Sequence, residues 1–401
     1  MKSRPIDSRR AGENNEKLIL RLLRKHGSLS QSQLCRLTGL GSSTASSIVS
    51  RLRDKGLVLE NEGESTRRGP KPVILSINPR GRFIAGVEVN PDLIHIGLFD
   101  FATELIDTVK VPLDRDHSVD RVVHLLVAQL EALFERHGVV QTQVLGVGIA
   151  LSGTVSKDGH VVLSSPMGWK DVPFRAWLDE HLHCPVCLFS TRVRLLAEMA
   201  LESNGGYKNV VYINVADGVG CSAVMEGQLL QGATGRGGEI GHVIVAPEGP
   251  LCGCGHRGCL EAVISGPALA EKILMELMGD RSSPLQQAIG PGDNHKTVIQ
   301  KWGQALTRGD AYALEIRQYV ESYLGKAVAL AVNLYDPEMV ILGGYVTNAC
   351  FDAIRAAVER TIDSSVYNSD SRAITLRPAS VGERSLIIGT AMAIWQREVE
   401  L

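Results

Sequence analysis

The chain lacks any long hydrophobic run: no stretch of eighteen apolar residues occurs in its 401 residues, so no membrane-spanning helix is expected. Its first residues, MKSRPIDSRRAGENNEK, contain no apolar core of the kind that a secretory signal needs. We therefore expect a cytoplasmic protein that binds no membrane. The composition does not indicate disorder either, because 44% hydrophobic and 21% charged residues are ordinary values for a globular protein. The length suits two or three domains.

Excess positive charge is confined to the N-terminal fifth of the chain. Residues 1–80 carry 16 Lys and Arg against 7 Asp and Glu, a net charge of +9. Residues 81–401 carry 26 against 37, a net charge of −11. A basic head on an acidic body indicates that the head alone contacts a polyanion.

The head, residues 1–80, shows three short helical patterns. Apolar residues recur at helical spacing over residues 13–25. A second helix is predicted to open at Ser30, with Gln33 placed to complete a capping box, and a third begins near Ser42. Three helices joined by tight glycine-containing turns predict a helix-turn-helix unit.

The third predicted helix has an apolar face and a face of small polar residues. Such a polar face can enter the major groove and donate hydrogen bonds. Two β-patterned runs follow, residues 57–59 and 73–77, and predict a hairpin wing. Between them Arg67 and Arg68 are expected to reach phosphates or a minor groove. The alternative is a protein-interaction module with a solvated serine-rich face. The predicted DNA contacts on the helix are Ser43, Thr44, Ser47 and Arg51.

The body has an α/β pattern that occurs twice. Short β-rich runs are followed by an amphipathic helix, residues 118–137, and by a buried strand, residues 144–151. A similar order recurs between residues 210 and 344. We divide the body into two halves, residues 81–200 and 201–401, and expect a ligand cleft between them.

Three of the eight cysteines fall within eight residues, in the run CGCGHRGCLE at residues 252–261. Clustering of this kind in a large cytosolic chain indicates metal binding, not a disulfide framework. One histidine and three thiolates make a closed tetrahedral site, so we predict a structural Zn²⁺. His256 is a possible substitute for the histidine, and the other reading is an incidental cluster in a glycine-rich loop. The predicted ligands are His242, Cys252, Cys254 and Cys259.

These motifs have a known counterpart. The run GEIGH at residues 238–242, followed after nine residues by Cys-x-Cys-Gly-x-x-Gly-Cys-x-Glu, resembles the signature of the ROK family of bacterial sugar kinases and sugar-responsive repressors. The segments SPMGW (165–169) and DPEMVILGG (336–344) match it as well. The winged head resembles the repressor branch, of the xylose or N-acetylglucosamine type. The resemblance implies an actin-like, two-lobed body of the ribonuclease-H type and a homodimer or homotetramer.

The resemblance also implies three sugar contacts, at Glu239, His242 and Glu261. The zinc would then fix the loop that aims both carboxylates. The alternative is that the two glutamates only support the zinc loop. Phe189 and Ser190 stand where the family has polar sugar contacts. We therefore expect either a sugar with a more apolar edge or a vestigial pocket.

The kinase pattern of the family is broken in this sequence. The phosphate-binding turn Asp-x-Gly-Gly-Thr reads EVNPD at residues 88–92, without its glycines. A second turn begins with Asp217, where the kinases resemble Gly-Thr-Gly. Ser190 stands where the kinases carry the catalytic Asp, and a hydroxyl is no substitute for a carboxylate base. We therefore expect no enzymatic activity.

The sequence thus predicts a DNA-binding transcriptional regulator, a repressor of carbohydrate-use genes, whose affinity for operator DNA is set by a sugar. Two alternatives stay open. One is a bifunctional sugar kinase with a DNA-binding head. The other is a repressor controlled by a partner protein. The sequence pattern is the same for a repressor and an activator.

Overall fold

The computed structural model describes residues 8–62, 73–114, 116–201, 206–279 and 281–400. The chain divides into two compact units. Unit 1 is Met1–Ser203 together with Glu383–Leu401, and unit 2 is Asn204–Gly382. Residues 383–401, which the sequence division placed in the second half of the body, fold with unit 1 instead. None of the helices in the described ranges is long and apolar enough to span a bilayer.

A winged helix-turn-helix opens unit 1, as predicted. Its elements are α1 (Ser8–His26), β1 (Ser28–Ser30), α2 (Gln31–Thr38), α3 (Ser42–Asp54), β2 (Val58–Glu62) and β3 (Val73–Ile77). The predicted capping box is present, because the Ser30 hydroxyl accepts from the Gln33 amide at 3.3 Å and the Gln33 side chain accepts from the Ser30 amide at 2.7 Å. The three strands form an antiparallel sheet in the order β1-β3-β2, so the wing is built as expected with one additional strand.

The rest of unit 1 is a five-stranded sheet with helices. Its elements are β4 (Phe83–Val89), β5 (Leu93–Asp100), β6 (Leu105–Pro112), α4 (Val119–Arg136), β7 (Val144–Leu151), β8 (Thr154–Val155), β9 (Val161–Ser164), β10 (Trp169–Val172), α5 (Phe174–Asp179), β11 (Val186–Ser190), α6 (Arg194–Leu201) and the C-terminal helix (Ser385–Trp395). The main sheet has the order β11-β7-β4-β5-β6. Strand β5 runs antiparallel to both of its neighbours, β4 and β6, whereas β7 and β11 run parallel to β4.

The C-terminal helix lies against β4 and β7 because glycines leave space for it. A Cβ atom at Gly86 would lie 2.0 Å from the carbonyl oxygen of Ile387, and one at Gly148 would lie 2.8 Å from that of Thr390. Nearly every side chain of the helix is buried. A helix that is apolar on all sides must be covered on all sides, which explains why this segment is packed into unit 1.

One apolar cluster joins the head to the C-terminal helix. It contains Leu23 of α1, Phe99 of β5 and Trp395. The Trp395 indole N–H donates to the Phe101 carbonyl at 3.2 Å, and the Arg24 guanidinium lies 4.5 Å from the centre of the Trp395 ring. The head is therefore packed onto the rest of unit 1 and not only linked to it by the chain.

Unit 2 repeats the sheet topology of unit 1. Its elements are β12 (Val210–Val215), β13 (Val219–Met225), β14 (Gln228–Leu229), α7 (Leu260–Ile264), α8 (Gly266–Met278), α9 (Pro284–Ala288), α10 (His295–Thr307), α11 (Ala311–Tyr335), β15 (Met339–Gly343), α12 (Tyr345–Ser365) and β16 (Thr375–Pro378). The sheet order is β14-β13-β12-β15-β16, with β15 and β16 parallel to β12. Both sheets thus consist of a three-stranded meander extended by two parallel strands, which is the duplication expected from the sequence.

Candidate DNA-binding face and metal centre

Helix α3, which the sequence predicts to be the recognition helix, has one buried and one exposed face. The apolar face is buried in the head. All four of the predicted α3 contacts are exposed, so they are accessible to a ligand from one side of the helix. Arg67 and Arg68 lie outside the described residues and stay predictions. The buried residues are Ala45, Ile48, Val49 and Leu52, and the exposed predicted contacts are Ser43, Thr44, Ser47 and Arg51.

Arg51 is held by a glutamate that the sequence analysis did not single out. The Arg51 Nε atom lies 2.8 Å from Glu16 Oε1, and the Lys55 Nζ atom lies 2.6 Å from Glu16 Oε2. Although burial raises the pKa of Glu16, the hydrogen bonds from Lys55 and Arg51 keep that pKa below its usual value. The sequence carried one signal for it, because Glu16 precedes the buried Ile19 by three residues and therefore lies on the inner face of α1.

The four predicted metal ligands converge in unit 2. The donor atoms of His242, Cys252, Cys254 and Cys259 all lie within 4.8 Å of one another. The sulfurs of Cys254 and Cys259 are 3.6 Å apart, and the Cys252 sulfur is 3.7 Å from His242 Nδ1. Two sulfurs bound to one tetrahedral zinc ion at ~2.3 Å lie about 3.8 Å from each other, so the donor set and its spacing fit Zn²⁺.

Glycines shape the loop that carries these ligands. A Cβ atom at Gly258, where φ is +71°, would lie 1.5 Å from the Ala246 carbonyl oxygen. Gly241 is similarly close to β13, since its Cβ would lie 2.1 Å from the Val219 carbonyl oxygen. The last ligand, Cys259, is the N-cap residue of α7. Because these glycines allow close approach of the backbone, the loop can bring the side chains of Cys259 and His242 together.

His256, the possible substitute ligand, has a different position. Its Nδ1 atom lies 3.5 Å from the Cys254 sulfur, and it does not belong to the group of four converging donors. Hydrogen bonds from the His256 backbone and ring lower the pKa of the Cys254 thiol to about 6. Burial raises the pKa of Cys252 and Cys259. Because zinc binds thiolates, a zinc ion held by these cysteines would compete with protons for them.

The three predicted sugar contacts all lie in unit 2 near this loop. Glu239 and His242 are exposed and lie at the two ends of one short turn, while Glu261 is half-buried in α7. The Glu261 Oε2 atom accepts a hydrogen bond from the Val219 amide at 3.0 Å. One carboxylate oxygen of Glu261 therefore stabilises the turn before β13. This contact favours a structural role for Glu261.

The comparisons with known proteins now decide the family. Residues 84–398 match the family model described as ROK family, and residues 13–69 match the one described as MarR family. The chain belongs to the ROK family. The resemblance drawn from its motifs is thereby confirmed, and so are the winged head and the actin-like, two-lobed body.

This ROK family chain has relatives among both transcriptional repressors and sugar kinases. The chain is similar to the xylose repressor of Bacillus subtilis (strain 168), with 24% identity over 389 residues that cover 95% of this chain and 94% of the relative. It is also similar to the glucokinase of Halalkalibacterium halodurans, with 27% identity over 321 residues that cover 79% of this chain and 96% of the relative. A solved ROK family transcriptional regulator, described as a homologue of the E. coli MLC protein, matches 97% of both chains with a TM-score of 0.85 and 24% identity.

At the place where the resemblance puts the first phosphate turn of the ROK kinases, this chain has a turn closed by hydrogen bonds to the Asn90 side chain. Asn90 Oδ1 accepts hydrogen bonds from the amides of Asp92 at 2.9 Å and Leu93 at 3.0 Å, and its Nδ2 donates to Glu88 Oε1 at 3.0 Å. In a glycine-rich turn such amides face the phosphate. Here the amides of Asp92 and Leu93 bond to a side chain of the same turn.

Ser190 and Asp217 are the two other residues that the family resemblance places at kinase positions. Ser190 is the last residue of β11, next to the half-buried Phe189, and it pairs with Leu151 of β7. The second turn carries Asp217, whose Oδ1 accepts from the Tyr345 hydroxyl at 2.9 Å. A carboxylate at this turn would repel a phosphate group placed beside it.

Proposed function

We propose that this ROK family chain is a sugar-responsive DNA-binding transcriptional repressor without kinase activity. The observation that carries the proposal is the exposed hydroxyl-bearing face of α3, on a winged head that is packed onto a ROK body with a closed phosphate turn. The xylose repressor relative, which matches over nearly the full length of both chains, supports the same function. We further propose that the protein acts in the cytoplasm on genes of carbohydrate use.

A structural Zn²⁺ belongs to the proposal. His242, Cys252, Cys254 and Cys259 would hold it with no position left open for water, so the metal would fix the loop and supply no catalysis. The fit rests on the convergence of one imidazole and three thiols, two of which are buried. Such a metal would fasten the His242 turn to the start of α7.

The effector site is proposed at Glu239, His242 and Glu261. Carboxylates suit sugar hydroxyls because they accept two hydrogen bonds in fixed directions. Glu261 retains one oxygen, Oε1, for such a contact in addition to its bond to Val219. We propose a homodimer as the smallest DNA-binding form, because two recognition helices can then read a two-fold symmetric operator.

The test is the melting temperature of the full-length protein against a panel of sugars, sugar phosphates and Mg-ATP. A ligand at a hundredfold over its dissociation constant adds about 2.7 kcal/mol to the free energy of unfolding. We expect a shift with one sugar and none with Mg-ATP. The absence of any shift would instead point to a vestigial pocket and to control by a partner protein.

A second candidate is a bifunctional sugar kinase with a DNA-binding head, and the similarity to the glucokinase favours it. It requires the closed turn at Asn90 to open for a nucleotide. A melting shift with Mg-ATP, together with sugar-dependent ATP turnover, would establish this candidate and overturn the proposed lack of kinase activity.

A further inference from the structure

We infer that Glu16 is a positioning residue for DNA binding, which aims Arg51 of the recognition helix and Lys55 at its C-cap toward the DNA backbone. The inference rests on the proposed function, because it requires the head to bind DNA.

Each oxygen of the Glu16 carboxylate contacts one cation. Oε1 lies 2.8 Å from Arg51 Nε and Oε2 lies 2.6 Å from Lys55 Nζ, so one carboxylate fixes two cations that are one helical turn apart. Arg51 uses its Nε for this pair, and its Nη1 lies 3.3 Å from the hydroxyl of Ser47, on the exposed face of α3. The guanidinium is therefore held along the face that is predicted to meet DNA.

The exposures show which side of the cluster faces water. The Glu16 side chain is 12% exposed, whereas those of Arg51 and Lys55 are 44% and 51% exposed. A phosphate arriving from solvent would meet the two cations first, with the carboxylate behind them. Repulsion between Glu16 and that phosphate acts over a longer distance and is screened by salt.

The ion pairs with Glu16 order the side chains of Arg51 and Lys55 before these side chains bind phosphates. Arg and Lys are among the side chains with the most rotamer freedom to lose on binding, and an ion pair formed in the free protein removes part of that cost. We therefore expect the reduced ordering to outweigh the gain in net positive charge when Glu16 is neutralised.

A second ion pair on α3 provides a matched control. Arg53 Nη1 lies 3.3 Å from Glu60 Oε2 on β2, and these side chains are 50% and 35% exposed. An exposed pair of this kind orders its partners weakly. Glu60→Gln changes the charge by the same amount as Glu16→Gln and also removes an arginine partner from α3.

The experiment measures binding of the full-length protein to a mixed-sequence DNA duplex over a range of salt concentrations. Glu16→Gln should weaken binding roughly threefold to tenfold and reduce the slope of log K against log salt by about 0.9 for each phosphate that the protein no longer neutralises. Glu60→Gln should leave the affinity unchanged or raise it. Equal or tighter binding by Glu16→Gln would mean that only its charge matters and would overturn the inference.

A mutant cycle distinguishes a positioning role of Glu16 from an effect of Glu16 on the fold. In the Arg51→Ala/Lys55→Ala background, Glu16→Gln should cause no further loss of affinity and no further change in the salt slope, since the residues it acts through are gone. A further loss there would show that Glu16 acts through the fold and would overturn the inference. If the wild-type protein showed no salt-dependent binding to DNA, the proposed function itself would fail, which is a different result.

Discussion

At the scale of single residues, Arg51 is a charged side chain on the exposed face of α3 whose direction is fixed by contacts with Glu16 and Ser47. Arg51→Ala should lower operator affinity by roughly tenfold, about 1.4 kcal/mol, and reduce the salt slope by about one. The measurement is a gel-shift titration against a duplex selected by the wild-type protein from a random pool. Arg355→Ala, an exposed arginine of unit 2, is the charge-matched control and should have no effect. Unchanged affinity in the Arg51 variant would argue against this face of the helix.

The metal centre also depends on single residues. Cys259→Ser should reduce bound zinc well below one ion per chain and lower the melting temperature by several degrees, because metal-binding free energy contributes to folding at structural sites. Zinc is measured by a colorimetric chelator after unfolding, and melting by calorimetry. Cys35→Ser, in the head and outside the converging group, should keep its zinc. Full zinc content in the Cys259 variant would remove this residue from the ligand set.

The residues that could be found from the sequence are those whose chemistry and spacing are local. The four metal ligands lie within eighteen residues of each other, so their pattern alone indicated a site. Glu16 could not be assigned in the same way, because it contacts residues that lie outside its own helix. The Asn90 turn is local, since its side chain bonds to residues within three positions, so an asparagine followed by proline was a turn signal that the sequence interpretation did not use.

At the scale of elements, the contact between the C-terminal helix and the sheet of unit 1 depends on glycine. Gly86→Ala places a Cβ atom 2.0 Å from a backbone oxygen of that helix, which no side-chain rotation relieves. We expect a loss of at least about 3 kcal/mol in the free energy of unfolding, measured in urea. Gly220→Ala in β13 is the control, since its Cβ meets no atom within 4 Å, and it should change the free energy by less than about 0.5 kcal/mol. A small effect at Gly86 would mean that the helix is less tightly packed than the structure shows.

The sequence pattern predicted the local elements, whereas it did not predict how they pack together. The capping box at Ser30 and the apolar spacing of α3 predicted both helices closely, because caps and periodicity act within a few residues. The C-terminal helix has no polar face, so its periodicity does not say which surface covers it. Its packing on β4 and β7 depends on glycines some 240 to 300 residues earlier in the chain.

At the scale of the whole molecule, regulation requires that the sugar bind the DNA-bound and free forms with unequal affinity. The coupling is reciprocal: if a sugar weakens operator binding by a given factor, the operator must weaken sugar binding by the same factor. We expect this factor to be in the range of about 5 to 150, which corresponds to roughly 1–3 kcal/mol. The measurement is calorimetric titration of the sugar identified by the melting panel, with and without a saturating operator duplex. Sugar affinity that is the same with and without the operator would show that this sugar does not set DNA binding. Control would then have to come from another ligand or from a protein that captures the repressor.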